Sequence, residues 1–437
     1  MKFSKKLAAA FAVGLTLVGT AACSNGGSNS NSSSSSSSEK IAKVKKTTNI
    51  VFWHGMTGVQ QSTLKKLTQE FESKNPKIKV KLENQGAYND LQAKINSTLQ
   101  SPNNLPTITQ AYPDWLFNAA KKDMLVDLAP YINNKDVGWG SSKASNIKSA
   151  LLDGAKINGK QYGIPFNKSI EVLTYNADLL KKYGIKKAPA TMDELKKDSQ
   201  IIYKKSNHKV VGAGFDSLSN YYTLGMKNEG VDFSSKIDFA GDTSKKVINF
   251  YADGIKDGYF RVAGSEHYLS GPFANQKVAM YIGTSAGEGF VKQGVGNKFT
   301  YDVAPRPGKY TMSQGTDIYM FNKHASADQK SAAFTYIKFL TSKASQLTWA
   351  NATGYVPVNQ AAADSAEYKD TKKLKLPAKL EDAMANLYSV PIIKDAGAAY
   401  GSLNPIMQNI LAAAQKKQNV DNAIKTGKTK FDAAWKQ

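Results

Sequence analysis

The residues best equipped for covalent chemistry are Gly283-Thr284-Ser285-Ala286-Gly287, a G-x-S-x-G turn between an apolar run at 278–282 and a stretch that reads as a helix. In that setting a serine hydroxyl stands exposed on a sharp turn and attacks a carbonyl once a histidine takes its proton. The partners are scarce. In the order serine, acid, histidine, only His324 lies beyond Ser285, with Asp302 and Asp317 between, and it follows closely, just before a helix start. His54, His208 and His267 all precede the serine. A Gly/Ser/Thr turn that offers N–H groups and hydroxyls to a bound ligand accounts for the same residues without a triad. The four histidines have no i, i+3 or i, i+4 pairing and there is a single cysteine, so no metal site is legible. No phosphate-cradling G-x-x-x-x-G-K-[ST] occurs, and no cofactor is implied.

The other chemistry on offer is recognition. A sugar presents apolar ring faces and a rim of hydroxyls, and is held by aromatic rings together with amides, hydroxyls and carboxylates. Candidate rings are Trp53, Tyr88, Tyr112, Trp115, Tyr221, Tyr222 and Tyr355. Tyr88, Tyr112 and Tyr355 stand out because they fall in loop-like segments, where ligand contacts concentrate. Asp114 is a candidate acceptor for hydroxyl protons, or a simple complement to the dipole of the helix it begins.

The elements that must position these groups alternate between strand and helix, which makes the class α/β. Residues 49–53 read as a buried strand, and Leu64, Leu67 and Phe71 mark a helix face at 3, 4 spacing. Residues 77–82 alternate, with Ile78, Val80 and Leu82 inward. Leu91, Ile95 and Leu99 mark a second helix, 107–109 a short strand, and 114–121 a helix begun by Pro113. Further strands are expected at 170–175, 278–282 and 317–322, and a helix at 177–183. Ser326 with Gln329 forms a capping box for the helix carrying Phe334, Ile337 and Leu340. The last stretch reads as helical, with Ile406, Ile410 and Leu411 on one face.

Several of these segments carry a resemblance in their order along the chain. They are Phe52-Trp53-His54-Gly55-Met56-Thr57-Gly58, Gly86-Ala87-Tyr88, Ile108-Thr109-Gln110-Ala111-Tyr112, Pro165-Phe166-Asn167-Lys168-Ser169 with its strand to Tyr175-Asn176, Ala279-Met280, and Thr353-Gly354-Tyr355-Val356-Pro357-Val358. Together they resemble the family 1 extracellular solute-binding proteins, the maltose-binding type among them, over about residues 48–437, and most closely the glycerol-3-phosphate-binding branch. The resemblance implies a two-lobed fold with a hinge and a ligand cleft between the lobes. It implies one lobe from 47–168 plus about 300–343, and the other from 169–299 plus about 344–437. It carries ligand contacts onto Tyr88, Ser169, Thr284 or Ser285, Gly315 and Tyr355. Two positions depart from the branch. Its cleft carboxylate falls on Pro113, with Asp114 beside it, and its late arginine falls near Ala399 in Ala398-Ala399-Tyr400-Gly401. The missing arginine argues for a neutral sugar or polyol over glycerol-3-phosphate or a glycerophosphodiester. The implied partners are the permease subunits of an ABC importer, with the chain itself a monomer.

Composition and the chain's beginning set the location. The formal charge is +23, but all of the 58 basic residues except Arg261 and Arg306 are lysine, dispersed along the chain. Nucleic-acid binders cluster their charge and favour arginine's bidentate fork, so this is a solvated surface, suited to the polyanionic envelope of a Gram-positive cell. Lys2, Lys5 and Lys6 precede an apolar run too short to span a bilayer, and Thr20-Ala21-Ala22 supply small residues before Cys23. This reads as a signal peptide at 1–22 and a lipobox, with Thr20 where leucine is usual and Cys23 lipidated. Residues 24–38 are Ser, Asn and Gly, with seven serines in a row at 32–38. Residues 23–46 therefore form a flexible tether, its serine-rich part reaching on the order of 20 Å. The expected location is the extracellular face of the cell membrane, lipid-anchored. A wall-binding adhesin would use the same anchor and tether, with less need for alternating α/β halves.

Overall fold

The computed structural model describes residues 41–369 and 374–436. The signal peptide, Cys23 and the serine tract lie outside the described residues. No described helix is long and apolar enough to cross a membrane.

A mixed sheet runs through the molecule. Its strand order is Ile78–Asn84, Thr48–His54, Ile108–Ala111, Thr311–Met320, Gly163–Asn176, Met280–Thr284, Ala213–Phe215, Phe260–Val262. The first three are mutually parallel, as are the last three. The two long strands between them are antiparallel to each other and to their outer neighbours. Gly163–Asn176 is therefore shared. It pairs with Thr311–Met320 along its first part, and with Met280–Thr284 and Tyr301–Pro305 along its second.

Apolar burial follows the same division. Ile50, Phe52, Leu64, Leu67 and Phe71 form one cluster with Phe334, Ile337, Trp349 and Tyr355, while Leu91, Ile95, Phe117 and Tyr319 lie in a second. Around the other parallel set, Phe215, Tyr222, Tyr251, Met407 and Phe431 form a third cluster. Ile170, Tyr281, Val291, Val303 and Val356 belong to a fourth. Each fully buried large side chain contributes about 1.5–3 kcal/mol, so both halves carry cores of their own.

Local sequence signals account for many of the boundaries. Ser326 Oγ accepts from Gln329 N at 3.2 Å and Gln329 Oε1 from Ser326 N at 3.0 Å, the capping box that opens Ala327–Leu340. Gly354, at φ +77°, ends Lys343–Thr353 and turns the chain into Tyr355. Several expectations shift. Tyr88 is not in a loop but is the first residue of the helix Tyr88–Thr98, because Asp90 Oδ2 accepts the Ala87 N–H at 2.9 Å and closes that end. The strand expected at 317–322 spans Thr311–Met320, its polar first half stabilised by pairing with the long strand. The strand expected at 278–282 spans Met280–Thr284.

Candidate functional site

The sequence-predicted residues converge on residues 167–171, where the long strand passes between the halves. A register shift between Thr316 and Asp317 sets Thr316 opposite Asn167, Gly315 opposite Lys168 and Gln314 opposite Ser169. Gly315 holds φ +91°, and a Cβ there would come within 2.0 Å of the Asn167 carbonyl oxygen. Only glycine permits that approach. Thr284 lies opposite Glu171, and Ser285 Oγ accepts the Ile170 N–H at 3.2 Å. Tyr355 reaches the same place because Val356 N donates to Lys168 O at 2.8 Å. Its ring stacks on buried Trp349, centroids 5.8 Å apart.

Tyr88 arrives from the start of the helix Tyr88–Thr98. Its hydroxyl is 3.3 Å from that of Tyr355 and accepts from Asn167 Nδ2 at 2.9 Å. Tyr88, Tyr112 and Trp115 form an aromatic trio, with ring centroids 5.8 Å (Tyr88–Tyr112), 5.2 Å (Tyr112–Trp115) and 6.4 Å (Tyr88–Trp115) apart. The Tyr112 hydroxyl lies against the Gly315 backbone. Burial pushes the Tyr88 hydroxyl up to about 12 and those of Tyr112 and Tyr355 upward too, so all three are neutral.

Asp114 closes one end. Gly397, bare of a side chain, lets it reach the first turn of the helix Ala396–Gln415, where a Cβ would meet Asp114 Oδ2 at 2.4 Å. Burial raises its carboxyl to about 6. It lines a cavity of about 560 Å³ with Trp115, Ile393, Gly397 and Gly401. A larger cavity of about 720 Å³, between Phe260, Val262 and Leu411, contains none of the predicted residues.

The remaining candidates make contacts with the chain itself. Trp53 is buried and donates to Glu83 Oε2 at 2.8 Å, Tyr221 donates to Val247 O at 2.6 Å, and the Tyr222 hydroxyl meets Ser244 Oγ at 2.8 Å. Thr284 Oγ1 accepts the Ala286 N–H at 3.3 Å and caps the turn at Ser285–Gly287. Ser169 is buried within the strand pairing. Ser285 is 1% exposed and its oxygen serves the Ile170 N–H; among the described residues no histidine is bonded to it. His54, buried and pushed down to about 4, accepts from Met56 N at 3.3 Å.

Several residues at the site had not been singled out. Gln110, Thr316 and Asn167 connect Gly55 to Tyr88 by hydrogen bonds. Tyr400 donates to Asn220 Oδ1, Asn220 Nδ2 donates to Glu171 Oε1 at 2.8 Å, and Arg306 Nε donates to Glu171 Oε2 at 3.1 Å. Asp216, raised to about 7 by burial, accepts the Leu269 N–H at 2.7 Å, next to Tyr268, which is 61% exposed and close enough to Tyr355 to disfavour its ionisation. The Gln110-Ala111-Tyr112 and Phe166-Asn167-Lys168 segments were the available signal for two of them; nothing in the sequence marks Tyr268 or Asp216.

Residues 66–376 match the family model described as bacterial extracellular solute-binding protein. The sn-glycerol-3-phosphate-binding periplasmic protein UgpB of Brucella melitensis is 24% identical over 430 residues, covering 89% of this chain and 94% of the relative. The crystal structure of UgpB from Mycobacterium tuberculosis in complex with glycerophosphocholine superposes with TM-score 0.76 at 19% identity, over 89% of this chain and 98% of that one. The Listeria monocytogenes ABC substrate-binding protein Lmo0181, in complex with cycloalternan, superposes with TM-score 0.74 at 20% identity, over 89% and 99%. The architecture is thus the two-lobed, maltose-binding type. On the family match the chain belongs to the bacterial extracellular solute-binding proteins, whose part in an ABC importer is to bind the solute and not to transform it.

Proposed function

We propose that the chain captures a neutral carbohydrate-like solute (a sugar, oligosaccharide or polyol) in the cleft between its lobes and delivers it to the permease subunits of its importer. The contacts in this reading are Tyr88, Tyr112, Asp114, Ser169, Thr284, Ser285, Gly315 and Tyr355. The observation that carries it is the aromatic trio set beside a carboxylate, with the cations of the crossing already committed. Lys168 faces Asp317 at 2.5 Å and Arg306 faces Glu171 at 3.1 Å. Rings stack on the apolar faces of a sugar and carboxylates accept its hydroxyl protons, whereas a phosphate wants uncommitted cations.

The lobes in this proposal meet at the crossing strands, one built around 47–168 and the other around 169–299, with the chain returning after about 300 and again after about 343. Contacts from both lobes give the ligand a preference for the closed form, and only such differential affinity drives closure. The protein acts as a monomer held on the extracellular face of a Gram-positive cell membrane by lipid on Cys23, an assignment supported by the small residues before it and the serine tract after it.

A second reading is a glycerophosphodiester or glycerol-3-phosphate. The names of the relatives support it, and the same three rings would suit a quaternary ammonium group. Calorimetry with maltose, maltotriose, sn-glycerol-3-phosphate and glycerophosphocholine decides between the two. We expect a sugar to bind, with Tyr88→Ala and Tyr355→Ala each weakening it by about 1–3 kcal/mol, or roughly 5- to 150-fold. Preference for a phosphate ester would overturn the sugar reading, and unchanged affinity in both variants would remove the site.

A further inference from the structure

The hydrogen bonds at the crossing have a direction, and it is fixed at one end. A backbone N–H can only donate, and Gly55 N points at Gln110 Oε1 at 3.2 Å. The amide of Gln110 is thereby oriented, and its Nε2 donates to Thr316 Oγ1 at 3.1 Å. Having accepted that proton, the Thr316 hydroxyl gives its own to Asn167 Oδ1 at 2.5 Å. The Asn167 amide is then oriented in its turn and donates from Nδ2 to the Tyr88 hydroxyl oxygen at 2.9 Å. Gln110, Thr316 and Asn167 are all fully buried, so no bulk water competes for these groups and none can reverse the chain cheaply.

The consequence falls on the tyrosine pair. Tyr88 and Tyr355 share one contact of 3.3 Å between their hydroxyls. Whichever of the two donates across it, the other keeps a proton of its own, while the Asn167 N–H already feeds the pair from behind.

We infer that Gln110, Thr316 and Asn167 are positioning residues that polarise the Tyr88–Tyr355 pair into a net hydrogen-bond donor, so that this part of the cleft selects a ligand oxygen acting as acceptor. The inference rests on the solute-binding reading above and narrows it. The oxygen taken here is an ether, acetal or ester oxygen, or a hydroxyl used through its lone pair.

Two measurements on the full chain test this separately. In the ligand-free protein, NMR with selectively labelled glutamine and asparagine should give contacts from the Gln110 side-chain NH₂ to Thr316, and from the Asn167 NH₂ to the Tyr88 ring. Contacts from the Gln110 NH₂ to the Gly55 N–H would show the chain running the other way and overturn the inference without touching the sugar reading. The binding arm compares maltose with its monodeoxy and monodeoxyfluoro analogues, since fluorine accepts and cannot donate. At the position served by the pair, the deoxy analogue should lose about tenfold in affinity while the deoxyfluoro analogue keeps most of it. Equal losses from both would mean that the ligand hydroxyl donates, and the inference fails. Thr316→Val should erase the difference between the two analogues, and Thr316→Ser, which restores a hydroxyl, should bring it back. If no maltose analogue binds, the sugar reading fails while the NMR contacts still judge the proton directions.

Discussion

Arg306 Nε lies 3.1 Å from Glu171 Oε2, and the two side chains are only 1% and 2% exposed. Both carboxylate oxygens are served, since Asn220 Nδ2 donates to the other at 2.8 Å, and Arg306 also donates to Pro307 O at 3.1 Å. A charge so deeply buried survives because its desolvation is offset by these bonds together. Through Asn220 the same cluster reaches Tyr400, so it ties the long strand to the helices Leu218–Asn228 and Ala396–Gln415.

Removing one partner should therefore be severe. Arg306→Met is expected to destabilise the protein by about 3–5 kcal/mol at neutral pH. Burial raises the Glu171 carboxyl while Arg306 and the Asn220 hydrogen bond oppose that rise, so in the variant burial is opposed by Asn220 alone and the carboxyl rises further. An acid whose folded pKa lies above its unfolded value costs stability as pH climbs through that interval. Urea unfolding should show a smaller deficit near pH 5 than near pH 8; a deficit independent of pH would mean that the carboxylate finds another partner.

Asp114 gives a prediction in a narrower window. Its carboxyl is raised from 3.8 to about 6 by burial, so the fold favours the protonated form and loses stability as pH rises between those values. Binding should move the opposite way, because the ionised carboxylate is the better acceptor for sugar hydroxyls. Affinity for a neutral sugar is expected to rise by up to about tenfold from about pH 5 to about pH 7.5. Asp114→Asn should flatten both curves. Asp216, raised to about 7, titrates in an overlapping pH range, so the difference between wild type and Asp114→Asn is the quantity to measure.

Gly315→Ala tests the close approach at the crossing. With φ +91° and a Cβ that would stand 2.0 Å from Asn167 O, the cost should exceed the roughly 1–2 kcal/mol of an ordinary left-handed alanine. Gly159→Ala, at φ +77° with open space around it, supplies that ordinary value in the same protein. Thermal unfolding of the two variants should separate clearly, and equal losses would show that the strands at Asn167 give way easily.

Cys23→Ser should release the protein from the membrane fraction, and mass spectrometry should find the lipid on wild-type protein only. Retention of the serine variant at wild-type levels would end the lipoprotein reading.

Elements with a local cause were legible. The strand Thr48–His54, the helix face of Leu64, Leu67 and Phe71, and the Ser326–Gln329 cap each depend on neighbours a few residues away. The polar segment Ser313–Thr316 does not alternate, and only its partner strand makes it extended, so its pairing was hidden. Tyr88 misled for a similar reason, since an alanine at a helix start advertises nothing until the Asp90 carboxylate is seen behind it. Residue type and motif brought Tyr88, Ser285 and Tyr355 to notice, and only the resemblance brought Ser169 and Gly315. Gln110 and Thr316 escaped because a buried amide or hydroxyl looks like any surface one in a sequence, and its meaning lies in what it faces across some 200 residues, as the separation of 206 between those two shows.

The long strand Gly163–Asn176 pairs with strands on both sides of the sheet, and the proposed ligand contacts gather at residues 167–171. In evolutionary terms that stretch is pleiotropic. On the proposed reading, a change there would alter ligand contacts, sheet pairing and the junction of the lobes together, and selection would see all three effects at once. Trp115, on a short turn, and Tyr268, on an exposed one, take no part in these strand pairings. New ligand preferences in descendants of this chain should accumulate first at such rim positions, with the crossing inherited nearly unchanged.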